Sequence, residues 1–505
     1  MMDDATGRPG RKRVFLPPDF VKAMLAGHSA LGLAFAALIY VVCLSGTLAV
    51  FFYEFQRWEQ PDAPIISRPV TEEAVTAALQ GGYKQAIADK SDHDIFIAVP
   101  GRITPRFMVR YHDHESGVEG NWAANAHGEL VTRIRTPWTE FLTELHINLH
   151  LPRTWGMFLV GLTGVTLLSS LVSGLLAHPR IFKDAFAFRW GGSKRLQDAD
   201  LHNRLGVWGL PFHIAVSLTG ALLGLSTLIV GVLALAAYDG DSGKAFSTLL
   251  GPRATEEETA APLPNLAAMI GHVRSSKPDA ELVSVFIQHA AKTGQVVSLG
   301  MRTPGHLALS EAYHFKGDGT PLGSGGLEDG SFGQQILGAI QPLHFGWFGG
   351  LAVKLAYGLL GLALTVVTYS GVTIWLARRR DKGRPAPRWE RIWAAVTWGQ
   401  PFALAGAAFG VQLIPGDAVS LAVYLLAVAG SFALAFLLPD SDAISRGLRL
   451  AASATLAALV IAHGCIWYTR ATDPMAWGVS SALALAAIML VPWRGSPALR
   501  RLPQS

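Results

Sequence analysis

Four histidines stand at related spacings along this chain of 505 residues, in two forms. His28 precedes Ser45-Gly46 by 17 residues (45 − 28) and His202 precedes Thr219-Gly220 by 17 (219 − 202), and each is followed four residues on by a glycine, Gly32 and Gly206. The second form pairs Leu145-His146 with Leu343-His344. His146 precedes Ser173-Gly174 by 27 residues (173 − 146), His344 precedes Ser370-Gly371 by 26 (370 − 344), and Gly161 and Gly164 match Gly358 and Gly361. Imidazole is a common ligand for haem iron, and two imidazoles on opposite faces of a porphyrin suit electron transfer rather than oxygen chemistry. The spacing predicts a duplicated unit that sets four histidines at the ends of four helices.

The elements that must carry them are apolar. Half of the residues are hydrophobic, 16% are charged and the mean hydropathy is +0.32, which marks a membrane protein rather than a string of soluble domains. Runs long enough to cross a hydrocarbon core of about 30 Å lie at 30–53, 156–177, 206–238, 349–377, 394–414, 419–438, 450–468 and 476–491, eight candidate spans. Lys and Arg in short loops collect on the cytoplasmic side. Arg8, Arg11, Lys12 and Arg13 precede the first span, Arg180, Lys183, Arg189, Lys194, Arg195 and Arg204 fill the second connection, and seven basic residues lie in 378–391. These segments and the Arg500-Arg501 tail are expected inside and the two long connections outside, which in a double-membrane bacterium means the periplasm. The first run is too long for a signal peptide and ends in Phe51, Phe52 and Tyr53, so it is expected to stay as a helix rather than be cleaved.

The expected division is a cytoplasmic basic tail (1–20), a first span (21–53), an outside domain (54–143), a second span (144–178), a cytoplasmic loop (179–199) and a third span (200–238). A second outside domain (239–341), a fourth span (342–377), a loop (378–392), a four-helix block (393–492) and a tail (493–505) complete it. In the first outside segment 71–78 reads as a helix capped by Thr71, followed by strands at 94–99, 106–111 and 120–124 and a turn at 126–128; in the second, 264–274 reads as a helix, with strands at 281–287, 296–299 and 312–315 and a turn at 317–319. The fold class expected is thus an α-helical integral membrane protein with a duplicated four-helix core and two small α+β outside domains. The two cysteines, Cys43 and Cys465, lie in spans and supply no disulfide framework or iron–sulfur site. The pI near 9.2 reflects loop arginines and membrane topology rather than nucleic-acid binding.

Leu145-His146 with Ser173-Gly174, Asp200-Leu201-His202 with Gly206, and Leu343-His344-Phe345-Gly346 with Ser370-Gly371 and Trp375 resemble, in this order and over residues 20–380, the PepSY-domain membrane proteins with their PepSY-associated transmembrane helices. Members of that family include inner-membrane ferric-siderophore reductases with b-type haem. The resemblance implies small periplasmic PepSY domains, haem b, and iron-uptake chemistry, and it does not account for the block from Trp393 to Val491.

Spans one and three start at His28 and His202, and spans two and four are preceded by His146 and His344. Equal depth then pairs His28 with His202 as ligands of an inner haem and His146 with His344 as ligands of an outer haem. His213, 11 residues beyond His202 (213 − 202), is an alternative inner ligand because a polar side chain deep in a span is costly. His150, four residues after His146, is an alternative outer ligand on the same helical face. His178 and His463 are lesser candidates, and His93, His112, His114, His127, His272, His289, His306 and His314 fall in the outside segments. No Gly-x-Gly-x-x-Gly follows a strand and Gly323-Ser-Gly-Gly326 reads as a turn. An electron donor must therefore be separate, either a cytoplasmic reductase or membrane quinol. The sequence carries no Walker motif or zinc-protease His-Glu-x-x-His either. The expected activity is reduction of a periplasmic ferric siderophore. The alternatives are a haem-free PepSY protein that binds a periplasmic ligand or regulates a protease, and a permease.

Overall fold

The computed structural model describes residues 16–91, 94–113, 116–178, 181–186, 194–255, 257 and 259–492. The basic residues Arg8, Arg11, Lys12, Arg13, Arg180, Arg189, Arg500 and Arg501, and His93 and His114, lie outside the described residues.

The first apolar run is not one straight helix. It comprises α1 (Pro18–Ala34), α2 (Ala36–Ala49) and α3 (Phe52–Glu59), with breaks at Phe35 and Phe51 and a bend of 69° between α1 and α2. An amphipathic helix α4 (Glu72–Ala88) follows, its N-cap Thr71 accepting from Ala74 N. After the first strands come α5 (Pro137–Ile147), α6 (Arg153–Ala177), α7 (Ile181–Ala185), α8 (Lys194–Trp208), α9 (Leu210–Gly224) and α10 (Ser226–Ala237). The bend recurs, at 70°, between α8 and α9. Its hinge Gly209 and the next break Leu225 are 174 residues beyond Phe35 and Phe51 (209 − 35, 225 − 51), so the duplication extends to the breaks. Pro211 removes a helical N–H in the second copy, whereas the first has Ala37 there. The bend therefore follows from packing: α1 lies on α6 while α2 lies on the helix α14 (Gly350–Asp381), and α8 lies on α14 while α9 lies on α6.

Residues 144–178 and 342–377, expected as single spans, are each split as well. His146 is the penultimate residue of α5, and Leu149 and His150 turn the backbone with φ of 58° and 53° before α6 begins after Pro152. After the short α11 (Ser242–Leu250) and the amphipathic α12 (Leu266–Ser276), His344 lies near the end of α13 (Phe332–Phe345). Gly346 there adopts the left-handed conformation, φ 71°, before α14. Glycine supplies that turn without a Cβ penalty.

The segments 54–143 and 239–341 do not form separate sheets. Strands β1 (Asp94–Ala98), β2 (Phe107–His112), β3 (Glu119–Ala124), β4 (Leu130–Arg133), β5 (Glu281–Gln288), β6 (Val296–Arg302), β7 (Glu311–Lys316) and β8 (Pro321–Ser324) make one antiparallel sheet in the order β4-β3-β2-β1-β5-β6-β7-β8. Its seam pairs Ile95 with Ile287, Phe96 with Phe286, Ile97 with Val285 and Ala98 with Ser284. Alternation sends Ile95, Ile97, Val285 and Ile287 to one face, into a single core with Val75, Leu79, Ile270 and Val273 of α4 and α12. The opposite face, with Phe96, Ala98 and Ser284, overlooks the helix ends. Two domains thus share one hydrophobic core.

The last block is α15 (Pro387–Leu413), α16 (Val419–Leu437), α17 (Ser441–Trp467) and α18 (Pro474–Leu490). Among the described residues α6, α14, α16 and α17 are long and apolar enough to cross a membrane, and the two bent pairs raise the number to six. The eight runs in the sequence exceed this because α18 is short, at 17 residues, and the run in α15 is diluted by Thr397, Gln400, Pro401 and Gln412. Twelve of the residues of α15 are buried, against α16, α17 and their neighbours, which reduces its need for lipid-facing apolar side chains.

Replacing Ile97 with Ala at the seam is expected to cost about 2–5 kcal/mol. Because both halves share one core, hydrogen exchange should accelerate together in β2–β3 and in β6–β7. Acceleration confined to β2–β3 would mean two independent domains.

Candidate functional site

The four repeat-related histidines meet as two pairs. The His28 and His202 ring centroids are 6.2 Å apart with planes at 77°, and those of His146 and His344 are 6.1 Å apart with planes at 17°. Each ring rests on a glycine of a different helix. A Cβ at Gly174 of α6 would lie 3.1 Å from His28, at Gly371 of α14 3.3 Å from His202, at Gly46 of α2 2.5 Å from His146, and at Gly220 of α9 2.9 Å from His344. These are the glycines of the Ser-Gly and Thr-Gly pairs, with the partners exchanged: the seat of His28 is on α6, not on the segment that follows it.

The same turn of helix fixes the tautomer. His28 Nδ1 donates to Ser170 O at 2.9 Å, His202 Nδ1 to Val367 O at 2.9 Å and His146 Nδ1 to Val42 O at 3.1 Å. Each acceptor lies four residues before the seat glycine, so the carbonyl that receives the glycine's helical N–H uses its second lone pair for the imidazole. His344 Nδ1 is held by Thr219 Oγ1 at 3.0 Å; that hydroxyl already donates to Ala215 O at 2.6 Å and therefore accepts. Ser370 Oγ, 3.1 Å from His202 Nδ1, assists in the same way. With Nδ1 protonated, Nε2 of every ring carries a lone pair, and no protein group among the described residues bonds to it. A hydrogen bond at the distal nitrogen that frees the other is the usual arrangement of a metal-ligating histidine.

The geometry suits a flat metal-centred group between the rings. Two imidazoles on opposite sides of one metal ion, with bonds of about 2 Å, have ring centres about 6 Å apart. A cavity of about 220 Å³ lies at the inner pair, lined by His28, His202, Ile39, Val207, Trp375 and Arg378. Gly32 and Gly206 border it, and a Cβ at either would meet nothing within 4 Å. Among the described residues no three or more of the His, Cys, Asp and Glu side chains converge, so the recurring constellation is the pair.

The other histidines are placed elsewhere. His213 is fully buried against Gly209 and beside Phe212, neither of its ring nitrogens makes a hydrogen bond, and it does not line the inner cavity. His150 donates from Nε2 to Phe141 O at 2.9 Å and stacks on that ring, so its Nε2 is occupied by a protein acceptor. His463 donates to Trp58 O at 2.8 Å, meets Ser480 Oγ at 3.2 Å and stacks on Trp58, a satisfied core residue. His178 borders the inner cavity. In the sheet, His314 shares a hydrogen bond of 2.8 Å with Ser298, and burial pushes its pKa below the ordinary range, so the ring is neutral near pH 7.

A second cavity of about 1270 Å³ lies between the free face of the sheet and the helix ends. Phe96, Ser284, Arg302 and Arg102 line it from the sheet side, and Tyr53, Trp347 and Lys354 from below. Trp347 is three residues from His344, and its indole N–H is buried with no partner. Lys354 is held by Glu54 at 2.7 and 3.0 Å, a buried ion pair with no signal in the histidine spacing. The Nδ1 acceptors had no sequence signal either, being mostly backbone carbonyls.

A family model described as the PepSY-associated TM region matches residues 25–378. The chain is also 30% identical over 373 residues to an uncharacterized protein of Pseudomonas aeruginosa, an alignment that covers 70% of this chain and 94% of the relative.

In cofactor-free protein, Gly46→Ala should drive a Cβ into His146 and cost about 1–3 kcal/mol. Gly32→Ala, on a helix facing open space, should be neutral or stabilising by up to about 1 kcal/mol. Thermal unfolding in detergent compares the two; equal effects would remove the glycine seat as an explanation.

Proposed function

Because the chain belongs to the family of PepSY-associated transmembrane proteins, we propose that it is a di-haem membrane oxidoreductase that reduces a ferric chelate, the iron-release step of siderophore uptake. The observation that carries this reading is one ligand geometry built four times: imidazole on glycine, Nδ1 tied down, Nε2 free, opposite a second imidazole. In this reading His28 and His202 hold an inner b-type haem, and His146 and His344 an outer one. The two groups, when bound, supply one-electron transfer between the membrane faces. The protein keeps the ligating nitrogens in one tautomer and excludes water from them by helix packing.

The remaining assignments belong to the same proposal. α15 and α18 complete eight spans, the termini are cytoplasmic, and the sheet lies in the periplasm of a bacterial inner-membrane protein. The large cavity beside Trp347 receives a ferric siderophore, with Arg102, Arg302 and the Trp347 N–H as polar contacts. One electron per iron arrives from a separate donor, a cytoplasmic reductase or membrane quinol, and the ferrous ion then leaves because most siderophores hold it far less tightly.

Purified protein should show a Soret band, and dithionite-reduced protein should be reoxidised by a ferric chelate. The ring planes predict two low-spin electron paramagnetic resonance signals, one of the strongly anisotropic kind given by near-perpendicular imidazoles and one of the rhombic kind given by near-parallel ones. His28→Ala or His202→Ala should remove the first alone, His146→Ala or His344→Ala the second. A wild-type protein without a Soret band would sink the proposal.

A further inference from the structure

The duplication is broken at one place. α3 reads Phe-Tyr-Glu-Phe-Gln-Arg-Trp-Glu, whereas the opening of its counterpart α10 reads Ser-Thr-Leu-Ile-Val-Gly-Val-Leu. The polar residues of α3 reach in three directions. Arg57 makes a two-bonded ion pair with Asp473 at 2.6 and 2.7 Å, and Asp473, fully buried, also caps α18 through Met475 N. Trp58 donates to Ser480 Oγ of α18 at 3.1 Å and its carbonyl accepts from His463 of α17. Glu59 receives Trp138 N at 2.9 Å and Thr139 N at 2.8 Å, the first turn of α5.

The last four helices close on the same helix. Trp138 Nε1 donates to Leu404 O of α15 at 3.3 Å, and the Phe141 ring lies 5.3 Å from Tyr424 of α16. Phe55, Trp58, Trp138, Phe141, Leu142 and Leu145 form one buried cluster with residues of all four helices. His146 is the next residue of α5. On the repeat-related side Trp138 corresponds to Ile336 (138 + 198) and Trp58 to Val232 (58 + 174), which are 47% and 57% exposed. Only one of the two outer histidine helices is gripped.

We propose that the block 387–490 is a brace that positions His146 through α3 and α5, with Arg57 and Asp473 as the positioning pair, rather than a separate transport path. The block lies beyond the family match, which ends at residue 378. Breaking a buried ion pair by removing one partner is strongly destabilising locally, so the contact is a suitable lever.

The test uses the full-length protein in detergent, with Arg57→Ala and with Asp473→Asn, which keeps a capping oxygen for Met475 N while removing the charge. Hydrogen exchange in the α5 amides should be at least about tenfold faster in both variants and unchanged in α13. The haem readout rests on the oxidoreductase reading; there, the rhombic signal of the outer pair should be lost or shifted while the inner signal stays. Unchanged exchange in α5, or equal acceleration in α5 and α13, overturns the brace. An unchanged outer signal despite a loosened α5 overturns it too, since His146 would then not depend on the block. If wild-type protein carries no haem, the oxidoreductase reading falls and exchange in α5 alone decides the brace.

Discussion

The membrane core depends on the contact between an imidazole ring and a glycine on a neighbouring helix. A single missing Cβ lets the ring approach the helix backbone, and in three of the four cases the carbonyl bonded to that glycine's own N–H is the acceptor that fixes the ring. Space and orientation thus come from the same helical turn. Because each seat lies on another helix than its histidine, the four contacts also tie α1 to α6, α8 to α14, α5 to α2 and α13 to α9. The sharp bends at Phe35 and Gly209 follow, since each apolar segment must serve two different partners.

Much of this was legible in the sequence. The two spacings identified the four histidines, the two repeat forms and the glycines that became the seats, while period-two patterning located six of the eight strands. Thr71 was readable as a cap because the side-chain oxygen and the acidic first turn that follows make a local signal. What escaped was non-local. Nothing near Phe35 breaks a helix, so its bend could not be read there, and the exchange of glycine partners has no one-dimensional signature. β4 and β8 are short, largely exposed edge strands with little apolar periodicity. The polar residues of α3 fall at the start of the segment expected as an outside domain (54–143), and no local pattern reveals their partners, which lie as far away as Asp473.

The duplicated halves are alike where the histidines sit and unlike where they meet the rest of the protein. Glu54 pairs with Lys354, Arg57 with Asp473 and Glu59 with the start of α5, and these three anchors lie on α3 of the first half. The matching positions of α10 are Leu228, Gly231 and Leu233. Buried charged pairs are costly unless geometry is fixed, and here they sit at the junction of sheet, core and last block, where a fixed geometry has the greatest effect.

The seam of the sheet has a consequence for biogenesis. β1 finds its central neighbour β5 only after nearly 190 further residues (281 − 94) have been made, and among them are the helices from α5 to α12. Until then the first half-sheet exposes an unpaired edge rich in Ile and Phe, the kind of template that invites foreign strands. Closure of the seam therefore reports that α6, α8 and α9 have been laid down, and it clasps both halves of the core from one side. A chain interrupted before residue 281 would keep that edge of β1 without its partner β5.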